Sequence, residues 1–142
     1  ADAVPQQSSG ISADDEGVQL RINSDVMFKP GSIEILPEGQ KVMNSVLQVL
    51  KDYNLYLVVR GHADSTEARP PFDSAWELSG ARAAAVLHYL ADRGVKHTRL
   101  RGVAYADTRP LKPGIDEESR AVNRRVEFFF HRPEVMSYSV VY

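Results

Sequence analysis

Hydrophobic residues recur along the first half of the chain with two different periods. Val18, Leu20 and Ile22 alternate with polar residues, which is the period of a half-buried strand. Over residues 37–52 the apolar positions instead recur every three or four residues, and Pro37 suits the first turn of a helix. The pattern therefore predicts a strand followed by a long first helix.

The second half of the chain repeats this succession of strand and helix. Residues 55–61 form a nearly continuous apolar run rich in β-branched and aromatic side chains, which is typical of a central strand. Ser74 and Glu77 have the spacing of a capping box, which predicts a second helix that continues to about Arg93. The remaining predicted elements are a strand over 98–105, a short helix over 116–122 and a strand over 125–131.

These elements predict an α+β domain with two layers, in which a mixed sheet of about four strands carries the two main helices on one face. Residues 1–16 are polar with scattered aliphatic residues, so we expect a flexible linker or tail there. The domain then covers residues 17–132, and residues 133–142 form a C-terminal extension. The uncovered sheet face is expected to support weak self-association, and the candidate contributors are the apolar residues Phe128, Phe130, Val140 or Tyr142.

Composition narrows the classes of function. The chain has 142 residues, of which 43% are hydrophobic, and a formal net charge of -2, so it lacks the basic excess expected of a protein that binds nucleic acid. It contains no cysteine, which excludes thiol catalysis and thiolate zinc sites. The start at Ala1 without an apolar segment fits a processed secretory protein or a piece of a longer one.

Asp64 and Arg82 are the most informative polar pair. Asp64 follows the predicted central strand, and Arg82 lies on the second predicted helix. Because long helical side chains lean toward the N-terminus, the guanidinium can reach the helix start, near the loop that carries Asp64. Asp64 could then bind an ammonium and Arg82 a carboxylate, so an amino acid is the simplest ligand. The alternative interpretation is an internal salt bridge between the two.

Other combinations of residues predict no catalytic centre. His62 and Asp64 have no third metal ligand at a helpful spacing, and we expect His62 to bond to the backbone at its strand end. Ser79 lies within a helix and outside any Gly-x-Ser-x-Gly turn, which argues against a serine hydrolase. The sequence therefore predicts a protein that is not an enzyme, with no cofactor and no metal.

Five segments in order resemble the motifs of the OmpA-like peptidoglycan-binding domain. They are an opening segment from Phe28 and residues 61–64, 78–83, 102–105 and 123–127. The resemblance implies a β-α-β-α-β-β fold and a non-catalytic site for the diaminopimelate residue of the cell-wall stem peptide.

The resemblance also implies roles for individual residues. Asp64 would bind the ligand's ammonium and Arg82 its carboxylate, and Asn123 and Arg124 match an Asn-Arg motif near the same cleft. The sequence departs from the family pattern at Ala63, where threonine is usual, and at Ala75, where asparagine is expected.

Within the family, residues 76–79 and 105–110 look most like the periplasmic part of flagellar stator B subunits. This likeness implies a periplasmic homodimer that is anchored in the inner membrane by a transmembrane segment outside this chain. The same segment would contact a channel-forming partner. The alternative is an outer-membrane lipoprotein or a porin-type tether. Two alternatives belong to other classes of function. A cell-wall enzyme would need a metal triad, a catalytic cysteine or an activated serine, which the sequence lacks. A purely structural dimerisation domain would use Asp64 and Arg82 as an internal salt bridge.

Overall fold

The structure of this protein is a computed structural model that describes residues 9–133. Its strands are β1 Ser9–Ala13, β2 Gly17–Asn23, β3 Tyr56–His62, β4 Leu100–Ala106 and β5 Arg125–His131. Its helices are α1 Ser24–Met27, α2 Pro37–Asp52, α3 Ala75–Asp92 and α4 Glu117–Asn123, and a short 3₁₀ turn precedes β4. The two long helices and the final strand confirm the predictions made from periodicity and from the Ser74 cap.

The five strands form one mixed sheet in the order β1-β2-β5-β3-β4. β3 and β4 are parallel, and the other three pairings are antiparallel. β5 lies at the centre, where Phe128 faces Leu20 on one neighbour and Val59 on the other, and all its residues are buried. The predicted α+β fold with a mixed sheet is confirmed, with one strand more than expected.

The extra strand is β1, which lies in the segment predicted as a flexible linker or tail. That prediction was wrong for Ser9–Ala13, because these residues pair with β2 in antiparallel register, with Ile11 opposite Leu20. The side chain of Ile11 is 66% exposed, so backbone pairing rather than apolar burial holds this edge strand. Because backbone pairing does not depend on apolar side chains, the composition of this segment does not predict the strand. Residues 1–8 lie outside the described part of the chain.

The hydrophobic core lies between the sheet and the helices α2 and α3. Its fully buried side chains come from every layer, among them Met27, Phe28, Val42, Leu57, Leu90 and Phe128. No helix within residues 9–133 is both long and apolar enough to cross a membrane.

Phe128 and Phe130 belong to this core, so the prediction that they support association through the open sheet face was wrong. Successive strand residues point to opposite faces, which leaves Phe129 on the other side of β5. There its ring lies 5.0 Å from the guanidinium carbon of Arg60. Val140 and Tyr142 lie outside the described residues.

The start of α3 packs closely on the end of β3. A Cβ atom at Gly61 would overlap the carbonyl oxygen of Ser79, so only glycine allows this approach. At the other end of α3, Gly94 has a φ of 102°, the left-handed conformation that glycine adopts where a helix stops. The close approach at Gly61 brings the helix that carries Arg82 beside the loop that follows β3.

Candidate functional site

Asp64 lies at the start of the loop between β3 and α3 and is 5% exposed. Its Oδ1 accepts hydrogen bonds from the backbone N–H of Thr66 at 2.7 Å and from the Thr66 hydroxyl at 2.5 Å. Its Oδ2 accepts from Nη1 of Arg124 at 2.9 Å. Burial acts to raise the pKa of Asp64, but these hydrogen bonds outweigh it and hold the pKa below its ordinary value. Asp64 is therefore a buried carboxylate.

Arg82 is held on three sides and is 1% exposed. Its Nε donates to the carbonyl oxygen of Ser32 at 3.0 Å, and its guanidinium carbon lies 5.4 Å from the centre of the Phe28 ring. Its Nη1 lies 2.5 Å from Oε2 of Glu67. The guanidinium is thus fixed inside the domain and carries an ion pair.

The partner of Arg82, Glu67, lies on the same loop as Asp64 and is 6% exposed. The two charges are within ion-pair distance, yet neither Nη1 of Arg82 nor either carboxylate oxygen of Glu67 makes an aligned hydrogen bond in the described chain. Burial raises the pKa of the Glu67 carboxyl, and Arg82 opposes this rise without cancelling it. The contact is therefore a single ion pair and not the two parallel hydrogen bonds that an arginine fork can make with a carboxylate.

Arg124, which directly follows α4, contacts three carboxylates. Its distances to oxygens of Asp25, Asp64 and Glu117 are 2.8, 2.9 and 2.8 Å. Its hydrogen bond to Glu117, followed by those to Asp25 and Asp64, raises the pKa of this guanidinium. Arg124 therefore joins Asp64 to the surface of the domain, where Asp25 and Glu117 lie.

Asn123 holds the loop that precedes α4. Its Oδ1 accepts from the backbone N–H groups of Leu111 and Lys112 at 2.8 and 2.9 Å, and its Nδ2 donates to the Lys112 carbonyl at 3.0 Å. These bonds make it a positioning residue for the loop in this structure, and direct contact with a ligand stays a prediction.

Three of the four predicted site residues, Asp64, Arg82 and Arg124, belong to one charged cluster, although not in the predicted pairs. Asn123 lines the cavity beside Asp64. No direct Asp64–Arg82 bridge forms, because Arg124 pairs with Asp64 and Glu67 pairs with Arg82. Glu67 connects the two pairs, since the charges of Asp64 and Arg124 also influence its pKa.

Glu67, Asp25 and Glu117 were not predicted as members of this cluster from the sequence. The position of Glu67, three residues after Asp64 in one loop, was a signal for a second carboxylate near Arg82. Asp25 gave no such signal, because it lies 99 residues from the arginine that it contacts.

We predicted that His62 bonds to the backbone, but its ring bonds to a side chain. Its Nε2 lies 2.9 Å from Oε1 of Glu127, whose Oε2 accepts from Nε of Arg125, and its ring stacks on Tyr105 at 5.0 Å. The antiparallel pairing of β3 with β5 brings these side chains together, which local sequence does not reveal. Within residues 9–133, no group of three or more histidine, aspartate or glutamate side chains could hold a metal ion.

A cavity of about 140 Å³ adjoins Asp64. Charged and amide side chains line much of it, among them Asp64, Asp107, Arg109, Arg120 and Asn123. A small polar group bound at Asp64 could extend into this space.

Comparison with known proteins identifies the family. The model of the OmpA family matches residues 27–124. The chain belongs to the OmpA family. It is 31% identical over 126 residues to the uncharacterized protein YtxE of Bacillus subtilis, covering 87% of this chain and 52% of that protein. It is 34% identical over 108 residues to the peptidoglycan-associated lipoprotein of Pseudomonas aeruginosa, covering 76% of this chain and 62% of the lipoprotein. The chain thus spans only part of these relatives.

Solved structures share the fold of this OmpA family member. A putative MotB-like protein from Desulfovibrio vulgaris superposes with a TM-score of 0.82 at 29% identity, covering 89% of this chain and 80% of that one. The cell wall anchor of the T6SS from P. aeruginosa has the same TM-score at 27% identity, covering 89% of both chains.

Proposed function

We propose that this OmpA family domain binds peptidoglycan, without catalysing a reaction, through the diaminopimelate residue of the stem peptide. The observation that carries the proposal is a buried acid and a buried base in one cluster. Asp64 is 5% exposed and Arg82 is 1% exposed, and both lie where the loop after β3 meets α3. Buried charges of opposite sign at one site suit a ligand that carries both an ammonium and a carboxylate.

In this proposal Asp64 binds the ammonium of the diaminopimelate side chain and Arg82 binds its carboxylate. Arg82 keeps its place because Ser32 and Phe28 hold it independently of any ligand. Asn123 positions the loop beside the cavity, and Arg124 orients Asp64. A ligand that lacks either charge would leave one buried group without its partner, which is the source of discrimination.

The relatives' names support a role at the cell wall. One relative is a peptidoglycan-associated lipoprotein and one structural neighbour is a cell wall anchor. The MotB-like neighbour favours the finer proposal that the domain anchors a flagellar stator to the wall. The lipoprotein favours the alternative, an outer-membrane lipoprotein or porin-type tether that uses the same domain.

The stator proposal carries further expectations for the whole protein. It places the domain in the periplasm, in a homodimer held in the inner membrane by a segment outside this chain. That segment would meet a channel-forming partner. The tether alternative keeps the periplasmic location and replaces this anchor with one in the outer membrane.

Arg82→Lys tests the carboxylate contact. Lysine keeps the charge beside Glu67 but cannot make two parallel hydrogen bonds to a carboxylate, so affinity should fall roughly tenfold or more. The measurements are co-sedimentation with purified sacculi and calorimetric titration with a stem tetrapeptide that contains diaminopimelate. Arg101→Lys, at an exposed position on β4, is the control and should bind like the native domain.

The ligand can be varied in the same titration. A stem peptide with lysine in place of diaminopimelate keeps the side-chain ammonium but lacks the second carboxylate. It should bind at least about tenfold more weakly, because Arg82 would lose its ligand. Equal affinity for the two peptides, or an unchanged Arg82→Lys variant, would contradict the proposed function.

A further inference from the structure

The place on Arg82 that the proposed function assigns to the ligand's carboxylate already holds a carboxylate of the protein. Glu67 Oε2 lies 2.5 Å from Arg82 Nη1, and the two side chains are 5% and 1% exposed. A ligand carboxylate cannot take the same position while Glu67 remains there.

Glu67 is poorly held at this position. Neither of its carboxylate oxygens has an aligned hydrogen-bond donor in the described chain, although both are buried. A buried carboxylate that has one ion-pair contact and no further donor does not recover the solvation that it would have in water. Its attraction to Arg82 is therefore opposed by a desolvation penalty that leaving the site would relieve.

Arg82, in contrast, does not depend on Glu67 for its position. Its Nε donates to Ser32 and its guanidinium lies against the Phe28 ring. Asp64 is likewise held by Thr66 and Arg124. When Glu67 leaves, both charges of the site stay in place.

We infer that Glu67 is an internal competitor that occupies Arg82 in the unliganded domain and must be displaced before a ligand carboxylate binds. The inference rests on the proposed function, because it concerns the affinity of that same site. It holds that Glu67, which lies outside the family motifs, controls this affinity. Only molecules in which Glu67 has left Arg82 can bind the ligand's carboxylate. The apparent affinity is therefore the intrinsic affinity multiplied by the fraction of such molecules. Glu67 also selects for ligands whose carboxylate makes the aligned hydrogen bonds that Glu67 does not make.

Glu67→Gln is the direct test, since glutamine has the same shape as glutamate but carries no charge to attract Arg82. The neutral amide competes less well, so the diaminopimelate tetrapeptide should bind about fivefold or more tightly than it binds the native domain. Glu118→Gln makes the same change of charge at an exposed position of α4 and should leave the affinity unchanged. Thermal unfolding of each variant verifies that it is folded.

A second readout does not depend on the peptide. Acetate can be titrated into the native domain and into Glu67→Gln while the Nε–Hε resonance of Arg82 is followed by NMR. We expect a saturable shift at clearly lower acetate concentration in the variant, because the neutral amide of glutamine competes less well with a free carboxylate for Arg82.

The outcomes separate the two proposals. Equal or weaker peptide binding by Glu67→Gln, with the same acetate response in both proteins, would overturn the role of Glu67 while the proposed function stands. If neither protein binds the tetrapeptide but acetate distinguishes them, the proposed function fails and the competition at Arg82 is supported. An identical acetate response without peptide binding would overturn both.

Discussion

At the scale of single residues, this domain buries several charged side chains. Asp64, Arg82, Arg125 and Glu127 are each less than 10% exposed. Burying an ion is unfavourable unless a partner and hydrogen bonds compensate for the lost water. Three of these residues have such compensation, and Arg82 has it only in part because its contact with Glu67 is unaligned. The incomplete compensation at Arg82 is what suits this position to exchange one carboxylate for another.

The charge of Glu127 is better compensated, because its two oxygens contact His62 Nε2 and Arg125 Nε, each at 2.9 Å. Burial acts to raise the pKa of Glu127, but hydrogen bonds from His62 and Arg125 outweigh it and lower the pKa to about 2 from an ordinary 4.5. Burial lowers the pKa of His62, although its hydrogen bond to Glu127 opposes this shift. The network therefore favours an ionised glutamate and a neutral histidine.

This network predicts loss of stability in acid. The unfolded state takes up protons more readily at both groups, so acidification favours unfolding. The contribution of His62 should begin to fall below pH 6.5, and that of Glu127 should fall between pH 4.5 and about 2. The free energy of unfolding, measured in urea at a series of pH values, should decrease through these two ranges.

Glu127→Gln isolates the carboxylate. At pH 7 it should lower the free energy of unfolding by about 1–3 kcal/mol, because the hydrogen bonds of a buried carboxylate with Arg125 and His62 are weakened. Below pH 4.5 its stability should depend less on pH than that of the native domain. Parallel pH curves for the two proteins would show that Glu127 is not the group responsible.

At the scale of elements, the junction of α3 with β3 and β4 positions the site. Ser79, which is fully buried, accepts a hydrogen bond from the Ala106 N–H at 3.1 Å and donates one to the Trp76 carbonyl at 3.2 Å. Ala106 has a φ of 53°, an uncommon conformation for a residue with a Cβ atom. Its carbonyl in turn accepts from the N–H of Ala63, the residue before Asp64. Ser79 thus links the helix of Arg82 to the strand ends beside Asp64.

Replacement of this serine by alanine tests the link. Ser79→Ala leaves the buried N–H of Ala106 without an acceptor, so the free energy of unfolding should decrease by about 1–3 kcal/mol. Ser45→Ala on α2 is the matched control, because its hydroxyl bonds to a helical carbonyl near the surface and its loss should change stability by less than about 0.5 kcal/mol. Equal stability of Ser79→Ala and the native domain in urea would refute the role of this hydroxyl.

At the scale of the whole molecule, the sheet extends one strand beyond the α/β core. β1 pairs with β2 alone and contributes no residue to the described core cluster. Its backbone pairing covers an edge of β2 that would otherwise expose unpaired N–H and C=O groups. The segment is therefore part of the folded domain and not only a connection to what precedes it.

Deletion of residues 1–13 tests this conclusion. The shortened chain should fold, because the core cluster is intact, but its free energy of unfolding should fall by about 2–4 kcal/mol through the loss of several backbone hydrogen bonds. Urea unfolding measures the difference, and peptide titration should show an unchanged affinity because no site residue is removed. An unchanged free energy of unfolding would support the original expectation of a linker.

The proposed homodimer also belongs to this scale. Phe128 and Phe130 are committed to the core, so they offer no surface for a second copy. The homodimer stays a prediction, and sedimentation velocity over a range of concentrations measures whether this domain associates by itself.

The sequence by itself determined the elements and the candidate charges. The limits of α2 and the cap of α3 follow from side-chain periodicity, Pro37 and Ser74, which act over a few neighbouring residues. Asp64 and Arg82 could be identified as candidate ligands because their motifs and the strand-to-helix connection are local features of the chain.

Only the tertiary structure decided which charges meet. Glu67 forms an ion pair with Arg82, and Arg124 forms one with Asp64. Loop conformation and strand order bring these groups together, although they are not close in the sequence. The contact between Asp25 and Arg124 spans 99 residues. The tertiary structure also decided the existence of β1. Backbone pairing with β2 stabilises this strand, and composition does not predict such pairing. Periodicity reflects interactions within one element, whereas the partners of buried charges depend on how the elements are assembled.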